Sequence, residues 1–387
     1  MRTNAIICEY NPFHNGHKYQ IENIKKHSDN AITAIMSGNF TQRGDIAIID
    51  KFKRAEVAIK NGVDLVVELP TVYACSSANC FAKAGVRIAG AIGCTDELCF
   101  SVEDYNPELL IEVAEKFEEE DFNEEIKLNM QNGDYYPQAV EKAFKKLYSN
   151  ELSDIVTKPN NILAIEYLKA LKGTDIKPYI IERVGIGHDS SECTENMASA
   201  SNIRKMILKG EKTESFIPKP TPDFSYPADI KRLEKIILYK LRTMTANDFA
   251  ELSDVSEGLE NRILNSVRNS NSVEEIIDDI KTKRYTHARI RRIIIGALLN
   301  IKADMPKRNV PYLRVLAFNE KGEKLLSEIK KSGNLPLITN VSDGYKSLDE
   351  NAREIFDIDL LASDIYSLAT DKISKCREDF TKAIIKL

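Results

Sequence analysis

The sequence predicts an α/β protein in two parts, with a parallel sheet wrapped by helices over residues 1–220 and a mainly helical domain over residues 221–387. Three observations lead to this prediction. A chain of 387 residues exceeds one comfortable core, so two domains are expected. Strand-like and helix-like runs alternate with short links through the first hundred residues, which is typical of a parallel sheet. The segment IPKPTPDFSYP holds four prolines and marks a linker near residue 220.

The individual elements follow in order along the chain. Five strands are predicted from the apolar runs NAIICEY, AITAIMSG, VDLVVELP, ELCFSVE and KPYIIERVG. Helices are expected to begin near His17, Lys51 and Thr71, and the acidic stretch 105–149 also has a helical pattern. Beyond the linker, NVPYLRVLAFN and NLPLITNV predict a small strand pair late in the helical domain.

Composition describes an ordinary globular protein, with 43% hydrophobic residues, 29% charged residues and a formal net charge of −5. This charge argues against indiscriminate nucleic-acid binding, although it leaves room for a local basic patch. Seven cysteines are scattered without a C-x-x-C pair, so they predict reduced thiols in a cytoplasmic protein rather than a metal site or disulfides. We find no signal peptide and no apolar run near the ~20 residues of a membrane helix, so no membrane partner is expected.

The stretch EYNPFHNGH leaves the first predicted strand and enters a helix with two histidines three residues apart. His14 in the turn and His17 at the helix start can both point toward one anion at the helix N-terminus. Gly16 lacks a side chain and lets a ligand approach the backbone. Two surface histidines in a plain turn are the alternative, but the position between a first strand and a helix favours a phosphate site.

This placement resembles the nucleotidylyltransferase superfamily, in which an H-x-G-H turn after the first strand holds the ATP phosphates. A second superfamily element, a Ser/Thr-rich turn entering a basic helix, is matched loosely by SASNIRK at residues 199–205. There Ser201 is expected to cap the helix while Arg204 adds charge beside a phosphate. The alternative is an ordinary capped surface helix.

Four blocks narrow the resemblance: NPFHNGH, MSGNFTQRGDIAIIDKFKRAEVAIKNGVDLVVELP, PNNILAIEYLKAL and KRYTHARIRR. Together they resemble the bacterial tRNA(Met) cytidine acetate ligases. The resemblance implies a Rossmann-like nucleotidylyltransferase domain and an ATP-dependent ligase that forms acetyl-adenylate. The acetyl group would then pass to the wobble cytidine of elongator tRNA(Met), giving N4-acetylcytidine. The implied cofactors are ATP and a divalent cation, Mg²⁺, and the implied partners are acetate and tRNA(Met).

The resemblance also implies functional residues. His14 and His17 would be catalytic. The implied ATP-binding residues are Ile7, Cys8, Glu9, Tyr10, Asn11, Pro12, Phe13, His14, Asn15, Gly16, His17, Lys18, Tyr19, Gln20, Ser101, Asn160, Asn161, Arg183, Ser201 and Arg204. Ser101 stands where the family pattern has glycine, and either of the two asparagines could reach the nucleotide. His188 and Asp189 follow the same strand as Arg183, while Gln42 and Arg43 are candidates for lining the acetate or cytidine pocket.

A basic stretch in the C-terminal half is the candidate RNA surface. Residues 281–314 contain ten Lys or Arg and one acid. Apolar residues between 290 and 301 recur at helical spacing and predict an inward face. The arginines left on other faces are the predicted tRNA-binding residues Arg284, Arg289, Arg291 and Arg292. A helix whose charge only balances acidic neighbours is the alternative.

Two other functions compete with the ligase. One is a small-molecule nucleotidylyltransferase, which needs neither the basic helix nor a second helical domain. The other is a non-catalytic RNA-binding protein with a vestigial nucleotide pocket, against which the intact H-x-G-H turn counts.

Lys51 and Arg54, which follow the second strand, are expected on a solvated helix face.

Overall fold

The computed structural model describes residues 1–103, 105–183, 196–256 and 258–387, and for residues 159 and 160 it describes the backbone alone. Within these residues the chain forms an eight-stranded sheet in the order β5-β4-β1-β2-β3-β6-β7, with β8 paired to β6. The strands are β1 Thr3–Cys8, β2 Ala31–Ser37, β3 Leu65–Leu69, β4 Thr95–Val102, β5 Lys177–Glu182, β6 Leu313–Phe318, β7 Leu337–Ile338 and β8 Ile385–Lys386. The five strands predicted in the N-terminal half are therefore confirmed.

Helices connect and cover the strands. Those of the N-terminal half are α1 Asn15–His27, α2 Lys51–Lys60, α3 Thr71–Ala74, α4 Ala78–Ala91, α5 Pro107–Lys116, α6 Glu120–Gln131, α7 Tyr136–Leu147, α8 Asn150–Ile155, α9 Pro159–Leu171 and α10 Ala200–Leu208. Those that follow the proline-rich linker are α11 Glu234–Thr243, α12 Ala246–Ala250, α13 Leu259–Asn269, α14 Val273–Ile280, α15 His287–Leu299, α16 Glu320–Ser332, α17 Val341–Ser347 and α18 Glu350–Ser367.

The sheet reverses its direction of growth beside β1. Strands β1 to β5 are all parallel, with β2 and β3 added on one side of β1 and β4 and β5 on the other. Such a reversal leaves a crevice outside the carboxyl ends of the central strands, where open α/β sheets bind their ligands. The turns after β1 and β4 therefore flank the expected binding position, and the predicted α/β class is confirmed.

The predicted C-terminal strands do not form a separate small pair. Strands β6 and β7 do pair with each other, but β6 also pairs antiparallel to β3, with Val66 opposite Ala317, and so extends the main sheet. Backbone groups at the edge of β3 need partners, and β6 supplies them from beyond the linker. The division at residue 220 remains a prediction for independent units, yet the sheet itself crosses it.

A buried ionic cluster joins the two halves beside this sheet. The Lys51 ammonium lies 2.8 Å from Glu68 Oε1 and 2.8 Å from Asp379 Oδ2, and all three side chains are buried. Arg314 on β6 bridges the same two carboxylates at 3.1 and 2.9 Å. The expectation of a solvated face for Lys51 is therefore wrong, because its charge is matched inside the core rather than by water.

Arg54 is buried as well and corrects the same expectation. Its guanidinium donates to the backbone carbonyls of Glu9, Ser37 and Gly38, at the carboxyl ends of β1 and β2. Burial lowers the pKa of Arg54. The side chain therefore fixes the two segments that leave the central strands. Among the helices in the described part of the chain, none is both long and apolar enough to span a bilayer.

Candidate active site

The H-x-G-H turn opens α1 at the carboxyl end of β1. His14 is the N-cap residue of this helix, and its Nδ1 accepts the Gly16 N–H at 3.1 Å. In return His17 Nδ1 accepts the His14 N–H at 3.2 Å. The two side chains thus form a reciprocal capping box made of imidazoles. Their rings are stacked, with centroids 3.7 Å apart and planes 19° from parallel.

These hydrogen bonds define the tautomer of both rings. Because Nδ1 accepts from a backbone N–H in His14 and in His17, each neutral ring carries its proton on Nε2. In each of the stacked rings the Nε2–H donor therefore lies on the nitrogen that does not take part in the cap. Donors held in this way before a reaction begins stabilise negative charge that develops on a phosphate.

The amides at the start of α1 are engaged within the protein. Asn15 N–H donates to Phe216 O at 2.9 Å, and the His17 and Lys18 N–H groups donate to His14 O. The expectation that free helix amides bind the anion is therefore only partly met, since the helix dipole remains but the donors are used. Phosphate contact at this position depends on the histidine side chains.

Two buried aromatic residues pack against the His17 ring. The Tyr10 ring packs edge-on against His17 at 4.9 Å and against Phe13 at 4.8 Å between centroids. Tyr10 and Phe13 are each 1% exposed, so the imidazole rests on a rigid apolar floor. Tyr10 also adopts a left-handed backbone with a φ of 48°, which turns the chain sharply after β1.

Helix α10 brings the second motif to the same turn. Arg204 donates to the carbonyl of Asn11 at 2.8 Å, so its guanidinium contacts the turn that leads to His14. The helix is capped by Ser199, whose Oγ accepts the Asn202 N–H, and Ser201 Oγ lies 3.1 Å from Ser199 Oγ. The predicted capping role of Ser201 is therefore wrong, because the N-cap is Ser199 and the helix begins two residues earlier than SASNIRK suggested.

The remaining predicted nucleotide contacts lie on neighbouring elements. Ser101 is half-buried on β4 opposite Ile181 of β5, and Arg183 just beyond β5 donates its N–H to Val102 O at 3.0 Å. Burial lowers the pKa of Arg183. Asn161 is fully buried in the first turn of α9. These positions share the carboxyl edge of the sheet with the turn that holds His14.

Three predicted positions fall outside this description. The side chain of Asn160 is among those left undescribed, and residues 188 and 189 lie outside the described ranges. The N-cap of α9 is Lys158, so neither asparagine of KPNNIL caps that helix.

The polar loop after β2 is bonded directly to the turn. The Gln42 N–H donates to Glu9 Oε1 at 2.8 Å, while the Gln42 side-chain amide donates to Ser76 O at 2.9 Å. Asn11 Oδ1 accepts the Ile48 N–H at 2.8 Å. The Gln42 amide group is thus committed to a backbone carbonyl rather than directed at an acetate pocket. Sequence reasoning predicted Glu9 only as an ATP-binding residue and Arg54 only on a solvated face, so it missed the role of both in positioning the turn.

The four predicted RNA-binding arginines separate into two pairs. Arg289 donates to Asp254 O at 2.9 Å, and Arg292 forms an ion pair with Asp254 Oδ2 at 2.5 Å. Both are partly buried, whereas Arg284 and Arg291 are exposed. The alternative of internal charge balance therefore describes Arg289 and Arg292, and only the other two present their charge to solvent.

Comparison with known proteins agrees with this arrangement. The family model for HIGH nucleotidyl transferases matches residues 1–380, and the chain belongs to that family. The tRNA(Met) cytidine acetate ligase of Thermoanaerobacter sp. (strain X514) is 42% identical over 401 residues, which cover 99% of each chain. The protein of the same name from Caldanaerobacter subterraneus subsp. tengcongensis is 40% identical over 407 residues and the full length of both. Within its class, this chain is a member of the tRNA(Met) cytidine acetate ligase family.

Solved structures support the same assignment. The crystal structure of Thermotoga maritima TmcAL without ligand matches with a TM-score of 0.93 at 28% identity, covering 100% of both chains. The structure of that protein bound with alpha-thio ATP matches with a TM-score of 0.91 over the same coverage. The family resemblance predicted from NPFHNGH and the other blocks is confirmed.

Proposed function

We propose that this protein is an ATP-dependent ligase that joins acetate to the exocyclic amine of the wobble cytidine in elongator tRNA(Met). The observation that supports it most directly is the stacked His14–His17 pair, in the turn that Arg204 contacts at Asn11, at the crevice where an α/β sheet binds its ligand. Relatives covering 99% or more of this chain carry the name of that activity. ATP as the nucleotide is favoured by the neighbour bound with alpha-thio ATP.

The first step would activate acetate. A carboxylate oxygen of acetate attacks the α-phosphorus of ATP, the bond from that phosphorus to the bridging oxygen breaks, and pyrophosphate leaves with both electrons of that bond. His14 and His17 donate from Nε2 to phosphate oxygens whose charge grows during the displacement, and Arg204 adds a fixed positive charge. The acetyl-adenylate formed has a good leaving group, which free acetate lacks.

We propose that Mg²⁺ enters with the triphosphate. Within the described residues there is no group of three or more His, Cys, Asp or Glu side chains able to hold a metal, so the ion would be bound chiefly by phosphate oxygens and water. Bound in that way, the cation would neutralise phosphate charge. Glu9 is the carboxylate of the turn, and the Gln42 N–H already orients it.

The second step would transfer the acetyl group. The N4 amine of cytidine attacks the acetyl carbon, the carbon–oxygen bond to AMP breaks, and the amine loses a proton to complete the amide. The cytidine must be unstacked to reach the adenylate, and an anticodon loop offers this at a lower energetic cost than a duplex. Exposed Arg284 and Arg291 would bind tRNA phosphates.

The ATP site would comprise residues 7–20 with Ser101, Asn161, Arg183 and Arg204. Both ATP and tRNA are cytoplasmic molecules, and we place the protein in that compartment for this reason.

The test uses labelled acetate, ATP and three RNAs: elongator tRNA(Met), the same transcript with uridine at the wobble position, and initiator tRNA. Uridine carries a carbonyl where cytidine has the amine, so it removes only the nucleophile. We expect label in the first RNA alone, together with acetate-dependent exchange of pyrophosphate into ATP. Label on the uridine transcript, or an adenylated small molecule as the only product, would refute the proposal.

A further inference from the structure

Helix α15 rests directly on the loop that follows β2. Gly44 in this loop has a φ of 70°, and a Cβ added there would lie 2.8 Å from Cβ of Arg291 and closer still to the backbone of Arg292. The two backbones therefore touch at a point where no other residue type fits. Contact this close fixes the start of α15 against the loop.

Hydrogen bonds hold the same loop together and connect it to the turn that follows β1. Gly44 N–H donates to Thr41 O at 3.0 Å, and the adjacent Gln42 N–H donates to Glu9 Oε1 at 2.8 Å. Asn11 donates to Ile46 O at 3.3 Å. The backbone contact at Gly44 and the hydrogen bonds to Glu9 and Asn11 thus connect α15 with the residues that precede the histidine pair.

Two arginines of α15 are paired with an acidic residue inside the protein. Asp254, in a left-handed backbone with a φ of 65°, takes both Arg289 and Arg292 as partners. Arg291 lies between them in sequence but about 100° around the helix from Arg292. It is exposed, and within the described part of the chain its guanidinium has no hydrogen bond or ion pair. The contact with Gly44 places Cβ of Arg291 at the border between the helix and the loop that follows β2.

We propose that Arg291 is a positioning residue for acetyl transfer, holding a phosphate next to the reacting cytidine, and that Gly44 sets its distance from the adenylate. The proposal rests on the proposed function. A residue that only attracts RNA increases its affinity for the enzyme. A contact beside the reacting atoms also stabilises the complex in which the cytidine is aligned for reaction. Its loss should lower turnover even when the enzyme is saturated with RNA.

The first experiment compares Arg291→Gln with wild type by acetate-dependent pyrophosphate exchange, steady-state acetyl transfer to elongator tRNA(Met), and tRNA affinity at several salt concentrations. Glutamine keeps much of the aliphatic stem and removes the charge. We expect exchange within about twofold of wild type, kcat for transfer lowered about tenfold or more, and the salt slope of tRNA binding reduced by about one. Arg291→Lys, which keeps the charge but not the fork, should fall between the two.

The second experiment moves the helix without touching its charge. Gly44→Ala should displace the start of α15 and lower kcat for transfer, while pyrophosphate exchange falls less. Gly210→Ala is the matched control, because Gly210 has a φ of 71° yet nothing lies within 4 Å of an added Cβ. It imposes the same backbone strain without the collision and should behave as wild type.

Each outcome bears on a different statement. A wild-type protein that transfers no acetate to tRNA refutes the proposed function. With wild type active, an Arg291→Gln protein with unchanged kcat overturns the positioning role, whether its KM for tRNA rises or stays the same. If Gly44→Ala does not fold, the Arg291 series alone decides.

Discussion

The two ring nitrogens of His17 have separate tasks in this structure, and two substitutions should separate them. Nδ1 accepts the His14 N–H and closes the capping box, whereas we propose that Nε2–H donates to a phosphate oxygen. In His17→Asn, the side-chain oxygen can occupy the place of Nδ1 and keep the cap, but no donor remains at Nε2. In His17→Gln, the amide nitrogen can reach the place of Nε2, but the cap acceptor is lost.

The expected loss of stability and the expected loss of turnover follow from the interaction that each substitution removes. Losing the cap removes one hydrogen bond at a helix N-terminus and should cost about 1 kcal/mol of unfolding free energy. Losing one charge-stabilising donor should lower turnover by ~10²- to 10³-fold, because the phosphate charge grows during the reaction. The Asn variant should therefore be stable and nearly inactive, and the Gln variant less stable and more active.

The assays are acetate-dependent pyrophosphate exchange for the first step and denaturant unfolding for stability. Pyrophosphate exchange measures adenylation without RNA, so the interaction of α15 with RNA does not affect the measured rate. An Asn variant that exchanges at the wild-type rate would refute the assignment of Nε2 as the phosphate donor. A Gln variant as stable as wild type would refute the capping role of Nδ1.

Three further predictions concern the nucleotide pocket, the buried ionic cluster and its neighbour Asp359. Ser101→Gly should leave ATP affinity nearly unchanged and Ser101→Phe should abolish it, as measured by calorimetry, if the half-buried β4 backbone lines the site; ATP binding by the Phe variant would remove residue 101 from it. Asp379→Asn removes one of the two carboxylates that bridge Lys51 and Arg314, so the cluster loses one buried negative charge, and it should cost about 3–5 kcal/mol of unfolding free energy. Burial and the nearby Glu68 charge raise the pKa of Asp359 to about 6, so its ionisation lowers stability as pH rises from roughly 4 to 6. Asp359→Asn should remove that decline, and unfolding curves at pH 5 and 7.5 with an unchanged pH dependence would contradict it.

Features that depend on neighbouring residues in the chain could be predicted from the sequence. The alternation of apolar runs located β1 to β5, and the H-x-G-H pattern located the turn that leads into α1, because strand ends and helix starts are encoded within a few residues. The crevice position followed from those elements alone. The start of α1 at Asn15 rather than near His17, and the stacking of His14 on His17, were not predicted.

Features that depend on distant residues could not be predicted. Lys51 resembles a surface residue in the string DKFKRAE, because its partner Asp379 lies 328 positions away. The pairing of β6 with β3 and the pairing of Arg292 with Asp254 are equally invisible to local pattern. A charged residue next to an apolar run gives no sign of whether water or a buried carboxylate will meet it.

These distant contacts bind the C-terminal half to the catalytic edge of the sheet. Glu68 at the end of β3 lies against Gly38, so close that a Cβ there would meet the carboxylate, and Gly38 begins the loop that reaches Gln42 and Gly44. The charge of Glu68 is matched by Lys51 and by Arg314, which arrives on β6 from beyond the linker. Without β6, Glu68 would lose one buried cation and β3 would have an open edge. The loop that joins the turn after β1 to α15 is therefore supported by both halves of the chain, which would keep the proposed adenylate and RNA sites in a fixed spatial relation.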